Sequence, residues 1–530
     1  MKRRPFLRYT TTTALTVSGL AYVSGELLAS PPPLTLHAYL PNGDPLPEFE
    51  LNRLYFLDLN DEPIPHPDRT VEDGILTSQP PSGRFAIALQ LPVEGFGDVT
   101  LYADNQGRGF TPQDFTMVLN GVFARDRLYR VSQACDRWQR QGYGILQSVR
   151  DRLHRAQAYF TQASQAPDLQ IQIPLWNNAL AEGLWAGEEA ALSRARQRIV
   201  RTPPRQDFKL GCNAFAHPGL GAEYDRHFEA LFTTATVPFY WKPFEPEQGQ
   251  PTYTEVDTQV AWLRQAGIAP KGHPLTWFHE VSVPDWVRPL PYEQVKAALH
   301  QRIVEITQRY GSQIPTYDVI NEGHIVPWGN ELGYDQDQFL DLTRMACNAA
   351  KEGYPAVKRV INSCCLWARN VALYGSPQRS PYQYLKACLA TAIDFEVIGL
   401  QLYYPDQDMF EIDRLLDRFV GLGKPIHITE IGCSSNTGTD ETSIMGEALG
   451  MWHAPWSEQV QADWVEQIYT LGYSKPEIEV VSWWDLSDQA VFWPFGGLLN
   501  RENQPKAAYY RLQGLKKAWG LQRGQALSPV

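Results

Sequence analysis

The spacing of hydrophobic positions changes twice along the chain. From Leu34 to Leu119, short runs such as Leu34-Thr35-Leu36-His37-Ala38-Tyr39-Leu40 and Arg84-Phe85-Ala86-Ile87-Ala88-Leu89 lie between clusters of Pro, Gly, Asp and Asn. Their alternation predicts short strands and a small β-sandwich over residues 31–120. From Phe123 to Arg201 the apolar residues recur at helical spacing among many Arg, Gln and Ala, as in Ala181 to Val200. This pattern predicts a helical linker region over 121–204.

After Pro203-Pro204, continuous apolar runs alternate with helical stretches. The runs are Phe208 to Phe215, Ala235 to Trp241, Pro270 to Trp277, Thr316 to Glu322, Arg359 to Ser363, Phe395 to Tyr404, Pro425 to Gly432 and Glu479 to Leu486. Runs of this kind read as parallel strands covered on both faces. Eight of them in about 320 residues predict an α/β fold, a (β/α)8 TIM barrel over 205–520, preceded by the β-sandwich and the helical linker region. Residues 205–530 are then expected to carry the chemistry alone. Carbohydrate-binding modules often have the sandwich architecture, but a packing domain explains it equally well.

Two of the runs end in carboxylates: Thr316-Tyr317-Asp318-Val319-Ile320-Asn321-Glu322 and Pro425-Ile426-His427-Ile428-Thr429-Glu430. Glu322 and Glu430 would end barrel strands four and seven, on the face where barrel active sites lie. Two carboxylates in one pocket are the minimum equipment for glycosidic bond cleavage: the leaving oxygen needs a proton and the anomeric carbon an anion opposite.

Composition narrows the partners. Aromatic residues make up 12% of the 530, with 16 Trp and 25 Tyr, which suits stacking on sugar rings even if ordinary packing uses most of them. A formal net charge of −12 argues against a nucleic-acid partner. The seven cysteines show no paired spacing, Cys364-Cys365 is too close for an easy bridge, and no Cys-x-x-Cys occurs. His279, His324 and His427 lie outside any HExxH-type spacing, so neither metal nor cofactor is expected. Lys2-Arg3-Arg4-Pro5-Phe6-Leu7-Arg8 and the uncharged stretch from Tyr9 to Gly25 resemble a twin-arginine export signal within residues 1–30. A periplasmic or extracellular location is expected, without stable membrane insertion after signal removal; oligomeric state is not specified.

Residues 205–520 resemble glycoside hydrolase family 10, the endo-β-1,4-xylanases and their relatives. The family's acid/base motif matches Asp318-Val319-Ile320-Asn321-Glu322, and its nucleophile motif matches Ile428-Thr429-Glu430-Ile431. The strand-three motif appears as Lys271-Gly272-His273-Pro274-Leu275-Thr276-Trp277, followed by Pro284-Asp285-Trp286-Val287. Glu245-Pro246 with Gly249-Gln250, Gly399-Leu400-Gln401, Trp484 to Asp488, Gly497-Leu498-Leu499 and Pro505 to Tyr509 follow in family order.

The resemblance implies a retaining hydrolase acting on a polysaccharide or oligosaccharide, with Glu430 as nucleophile, Glu322 as acid/base and a carboxyl separation of roughly 5 to 5.5 Å. It further implies that Asn321 donates to the sugar 2-OH, that His273 bonds a ring hydroxyl, and that Trp277 walls the site. Gln401 and Tyr403 would orient Glu430, Trp484 would form the sugar platform, and Trp493 would lie near a family Trp. The charge of Glu430 and partial burial are expected to keep Glu322 protonated. Two positions depart from the family: Tyr240 stands where a Lys is usual and Tyr403 where a His is usual, which puts the sugar's identity in doubt. Two alternatives stay open, a β-glycosidase of related barrel type on another β-glycan and a non-catalytic carbohydrate-binding envelope protein.

Overall fold

The computed structural model describes residues 32–65, 68–113, 116–374, 379–403, 406–448, 450–489 and 491–522. The export-signal-like segment lies outside these residues. Strands β1 (Leu34–His37), β2 (Tyr55–Leu57), β3 (Pro63–Ile64), β4 (Arg69–Glu72), β5 (Ile75–Ser78), β6 (Ala86–Val93), β7 (Gly97–Ala103) and β8 (Thr116–Val118) form two four-stranded sheets, ordered β4-β5-β1-β8 and β3-β2-β6-β7. The period of two decides what each face meets. Phe56, Ile87, Leu89, Leu101 and Ala103 enter a core shared with Leu34, Leu36 and Leu76 of the other sheet. The intervening Tyr55, Leu57, Ala86, Ala88 and Tyr102 face outward and pack on Ala372, in the segment following a barrel strand.

The helices Leu119–Arg140, Gln147–Gln165 and Leu169–Arg201 occupy the region expected to be a linker. They do more than link: Leu119, Phe123, Leu128, Ala156, Leu180 and Leu184 belong to the same core as the two sheets. Helical periodicity announced the helices, but the partner of their apolar stripe is set by tertiary packing.

Eight parallel strands follow: β9 (Lys209–Asn213), β10 (Thr234–Pro238), β11 (Ala269–His273), β12 (Thr316–Asn321), β13 (Lys358–Ser363), β14 (Val397–Leu402), β15 (Ile426–Ile431) and, after the short ribbon β16 (Gly438–Thr439) and β17 (Glu447–Ala448), β18 (Ile478–Trp483). They close into a barrel in the order β10-β11-β12-β13-β14-β15-β18-β9. All eight runs named from the sequence are strands, and all but Arg359 to Ser363 stop short at the C-terminal end, where the chain turns into the loops of the catalytic face. Gly399 on β14 serves the site directly: a Cβ there would lie 2.5 Å from the Asn362 side-chain oxygen, so only glycine leaves room for that amide.

The N-terminal body sits against the loops that follow β13, β14 and β15. Backbone N–H groups of Thr100 and Asp98 donate to the carbonyls of Asp406 and Met451 at 3.0 and 3.2 Å. Arg414 pairs with Asp61, and Arg418 with Glu62. Arg127, 5% exposed, donates to both carboxylate oxygens of Asp408 at 2.8 and 3.1 Å, while Asp408 also caps the helix Met409–Val420 through the N–H groups of Phe410 and Glu411. Among the described residues no helix is long and apolar enough to cross a membrane.

Candidate active site

Glu322 is the first residue beyond β12 and Glu430 lies near the end of β15. Glu322 has φ +57°, a left-handed conformation that costs a residue with a Cβ about 1–2 kcal/mol. Its N–H donates to the Asn362 carbonyl at 2.8 Å, which anchors the turn. Both carboxyls are buried, at 6% and 7% exposure, so each needs donors.

Glu322 Oε2 accepts from the indole N–H groups of Trp277 at 3.1 Å and Trp328 at 3.2 Å, and Oε1 from the Gln401 amide at 3.3 Å. Glu430 Oε2 accepts from the Tyr403 hydroxyl at 2.8 Å and Oε1 from the Asn362 amide at 3.3 Å. Asn321 ties the two halves together: its Oδ1 accepts from Gln401 at 3.1 Å and from Asn362 at 2.8 Å. Each bridging amide thus spans Asn321 and one glutamate. With Oδ1 occupied twice, the Asn321 amide nitrogen is the group left to meet a ligand. Thr429 Oγ1 donates to Asn362 Oδ1 at 2.6 Å and fixes that amide's orientation.

Every donor in this set is neutral, and the electrostatics follow from that. Burial pushes Glu430 up to about 8, with the charge of Glu322 adding to the effect and the Tyr403 hydrogen bond opposing it. Burial raises Glu322 too, against its three hydrogen bonds and one from Cys364. The expected division, Glu430 ionised and Glu322 protonated, is therefore not built into the free site. Both carboxyls are raised, Glu430 to about 8, so burial favours a proton held between them in the free site.

The remaining predicted residues surround this pair. His273 Nδ1 bonds Asp318 Oδ2 at 2.7 Å, and the same oxygen accepts from Lys271 at 2.6 Å. Despite burial, which raises it, Asp318 is held below the usual carboxylate range by Lys271 and His273. Burial lowers His273, so the ring is neutral and the Asp318 bond sets which nitrogen carries its proton. Tyr240 lies edge-on to His273, with ring centroids 5.7 Å apart, and 5.8 Å from Trp277. Trp484 packs 5.7 Å from His273 and 5.2 Å from Phe215. Trp493 stacks on Tyr403 at 5.8 Å with ring planes 10° apart, next to the phenol that serves Glu430.

Sequence reasoning did not single out four residues here. Asn362 carries the only local hint, a buried amide inside the apolar run Val360-Ile361-Asn362-Ser363. Trp328 sits in the single 3-10 turn Pro327–Gly329, too short for any periodicity to mark it. Asp318 belongs to the quoted motif but received no role. Asp485, raised to about 6 by burial, accepts from Asn213 and from the Phe492 N–H at 2.7 Å beside Tyr240 and Tyr403. The fold also carries His324 to Cys364 and Cys365, a proximity that their sequence spacing does not reveal.

A parallel eight-stranded barrel presenting two buried glutamates at the ends of its fourth and seventh strands defines a class of sugar-processing folds. The chain belongs to glycosyl hydrolase family 10, whose family model matches residues 215–514. It is similar to the endo-1,4-beta-xylanase/feruloyl esterase of Xylanibacter ruminicola, 23% identical over 291 residues, covering 49% of this chain and 38% of that protein. It is also similar to endo-1,4-beta-xylanase 2 of Arabidopsis thaliana, 22% identical over 341 residues, 63% of this chain and 29% of that protein. The endo-1,4-beta-xylanase of Geobacillus stearothermophilus is 23% identical over 346 residues, 58% of this chain and 95% of that protein. The chain spans between 29% and 38% of the length of the first three curated relatives it matches. Native xylanase 10B from Thermotoga maritima superposes with a TM-score of 0.48 at 18% identity, covering 62% of this chain and 98% of that one.

Proposed function

We propose that this chain is a retaining glycoside hydrolase that cleaves β-1,4-linked xylan or a related plant-type polysaccharide through a glycosyl-enzyme intermediate. The observation that carries the reading is the Gln401–Asn321–Asn362 bridge, which holds Glu322 and Glu430 in one frame. Glu430, aligned by Tyr403 and Asn362, attacks the anomeric carbon. As that carbon gains positive charge, the ionised form of Glu430 is favoured and the shared proton resides on Glu322. Glu322 gives it to the departing oxygen, then takes a proton from the water that releases the sugar. The Asn321 amide donates to the 2-OH, a bond that strengthens in the transition state.

The N-terminal signal motif supports export by the twin-arginine route, tested by following Arg3→Lys with Arg4→Lys in cell fractions; unchanged export contradicts it. A nitrophenyl glycoside panel, run with the chain and with Glu430→Ala, tests the activity: turnover of a β-xyloside or xylobioside lost in the variant supports it. Absence of turnover on every glycoside favours the binding protein. A second reading, a β-glycosidase on another β-glycan, is favoured by Tyr240, which adds an aromatic edge 6.0 Å from Phe215 where the family's Lys would offer hydrogen bonds. A different leading sugar in the panel would select it.

A further inference from the structure

Beside the acid/base lies a group of side chains the proposed reaction does not use. Cys364 and Cys365 follow the end of β13, and His324 stands two residues beyond Glu322. Their ligand atoms all lie within 4.8 Å of one another, with the two sulfurs 3.0 Å apart and His324 Nε2 3.9 Å from the Cys364 sulfur. All three are buried, at 5%, 3% and 2% exposure, and Val326 packs with the two cysteines. The His324 ring presents Nε2 to the Cys364 sulfur, while Nδ1 on its other edge is buried without a hydrogen-bond partner. Cys365 has φ +57°, which turns its side chain back beside its neighbour's.

We propose that Cys364, Cys365 and His324 form a binding site for a soft monovalent cation of the Cu(I) class. Two thiolates and one imidazole are the ligands such an ion selects. No carboxylate belongs to the cluster, so oxygen-seeking cations find little there, and zinc would lack the fourth ligand its structural sites require. Seating an ion at about 2.3 Å from each sulfur asks the sulfurs to part by about 1 Å, within reach of side-chain rotation. Each thiol gives its proton to solvent as the ion enters, and the charge becomes one negative unit over the site. Because the Cys364 thiol is one of the donors to Glu322, occupancy removes that donor and places negative charge beside the acid/base. The ion is therefore an inhibitor of the proposed activity; this consequence rests on the hydrolase reading, whereas binding does not.

The test is anaerobic titration of the full chain with Cu(I) buffered by a chromogenic chelator, with X-ray absorption of the loaded protein. One copper per chain with two sulfurs and one nitrogen around it is expected, weakened at least tenfold in Cys365→Ser and, independently, in His324→Gln. Aryl glycoside hydrolysis should fall in step with uptake, return on adding chelator, and persist in Cys365→Ser at the same copper level. No stoichiometric uptake, a single-sulfur environment, or unchanged affinity in both variants would overturn the site. Stoichiometric uptake with undiminished hydrolysis would overturn the link to Glu322. If no glycoside is turned over at all, the hydrolase reading fails while the binding measurements still decide the site.

Discussion

The barrel buries acidic side chains in two places and treats them oppositely. At the mouth, Glu322 and Glu430 meet only neutral donors, amides, indoles and a phenol, and burial lifts both above the ordinary carboxylate range. On the flank beneath the N-terminal body, burial also acts to raise Glu411, yet Arg414, Arg130 and Arg127 hold it down at about 2. Asp61 and Asp417 are lowered by Arg414 and Lys475 in the same way, although burial still wins at Asp408 and Glu62. Converging cations can thus make a buried acid a fixed charge, whereas neutral donors leave it able to hold a proton. The mouth is built for chemistry and the flank for cohesion.

The largest effect should come from removing the cations that the N-terminal body supplies to the flank, Arg414 and Lys475 remaining in place. Residues 205–530 alone would leave Asp408, Glu411 and Asp413 without Arg127, Arg130 and Arg194, together with a stripped apolar face. Against the expectation that residues 205–530 carry the chemistry alone, this fragment should be insoluble or lack a cooperative melt. A cooperative melt near that of the full chain would show the flank to be dispensable.

Single substitutions then separate the two regions. Arg127→Ala should cost about 3–5 kcal/mol of stability, because it strands buried carboxylates, and should leave kcat close to normal in the surviving folded fraction. Asn362→Ala should do the reverse. With the bridge to Glu430 gone, kcat/KM should fall on the order of a hundredfold, while denaturant melts shift by only about 1–2 kcal/mol. Equal stability losses with equal activity losses would erase the distinction.

Acidity draws the same line. Glu430 is raised from 4.5 to about 8, so the unfolded chain releases this proton first and the folded state loses stability as pH rises between those values. Glu430→Gln should therefore raise the melting temperature, more at pH 8 than at pH 5, and kcat/KM of the intact chain should decline above about pH 8 as the shared proton leaves. Glu411 is depressed from 4.5 to about 2, so its contribution is complete above 4.5 and disappears as pH falls toward 2. A Glu430→Gln gain independent of pH would contradict the burial argument. The smallest effect is expected from Tyr240→Lys, which should reorder oligosaccharide preferences by a few-fold with little change on activated aryl glycosides; an identical ranking would remove Tyr240 from the sugar site.

The legible parts of the sequence were those where one local pattern admits one structure. Eight apolar runs gave eight barrel strands, and two runs ending in Glu gave the two carboxyls, because burial on both faces of a parallel strand favours apolar residues along it and makes a carboxylate at its tip stand out. The helices before Pro203 were legible as helices but not as part of the sandwich core, since an amphipathic stripe does not name its partner. Asn362, Trp328 and the His324–Cys364–Cys365 group were hidden for the same reason: each acts through neighbours on a different strand or loop. The apportioning of the proton was also out of reach, because it depends on which donors converge on each carboxyl.

The central claim is the division of labour between Glu430 and Glu322, and azide tests it most directly. With an activated aryl β-glycoside and azide, Glu430→Ala should regain activity and give a glycosyl azide of inverted configuration, because the anion enters the space the nucleophile has left. Glu322→Ala should keep appreciable first-step reactivity and give the azide of retained configuration, because the glycosyl-enzyme still forms on Glu430. The opposite pairing of variant and product configuration would reverse the roles assigned here, and two variants with unimpaired rates would place the chemistry elsewhere.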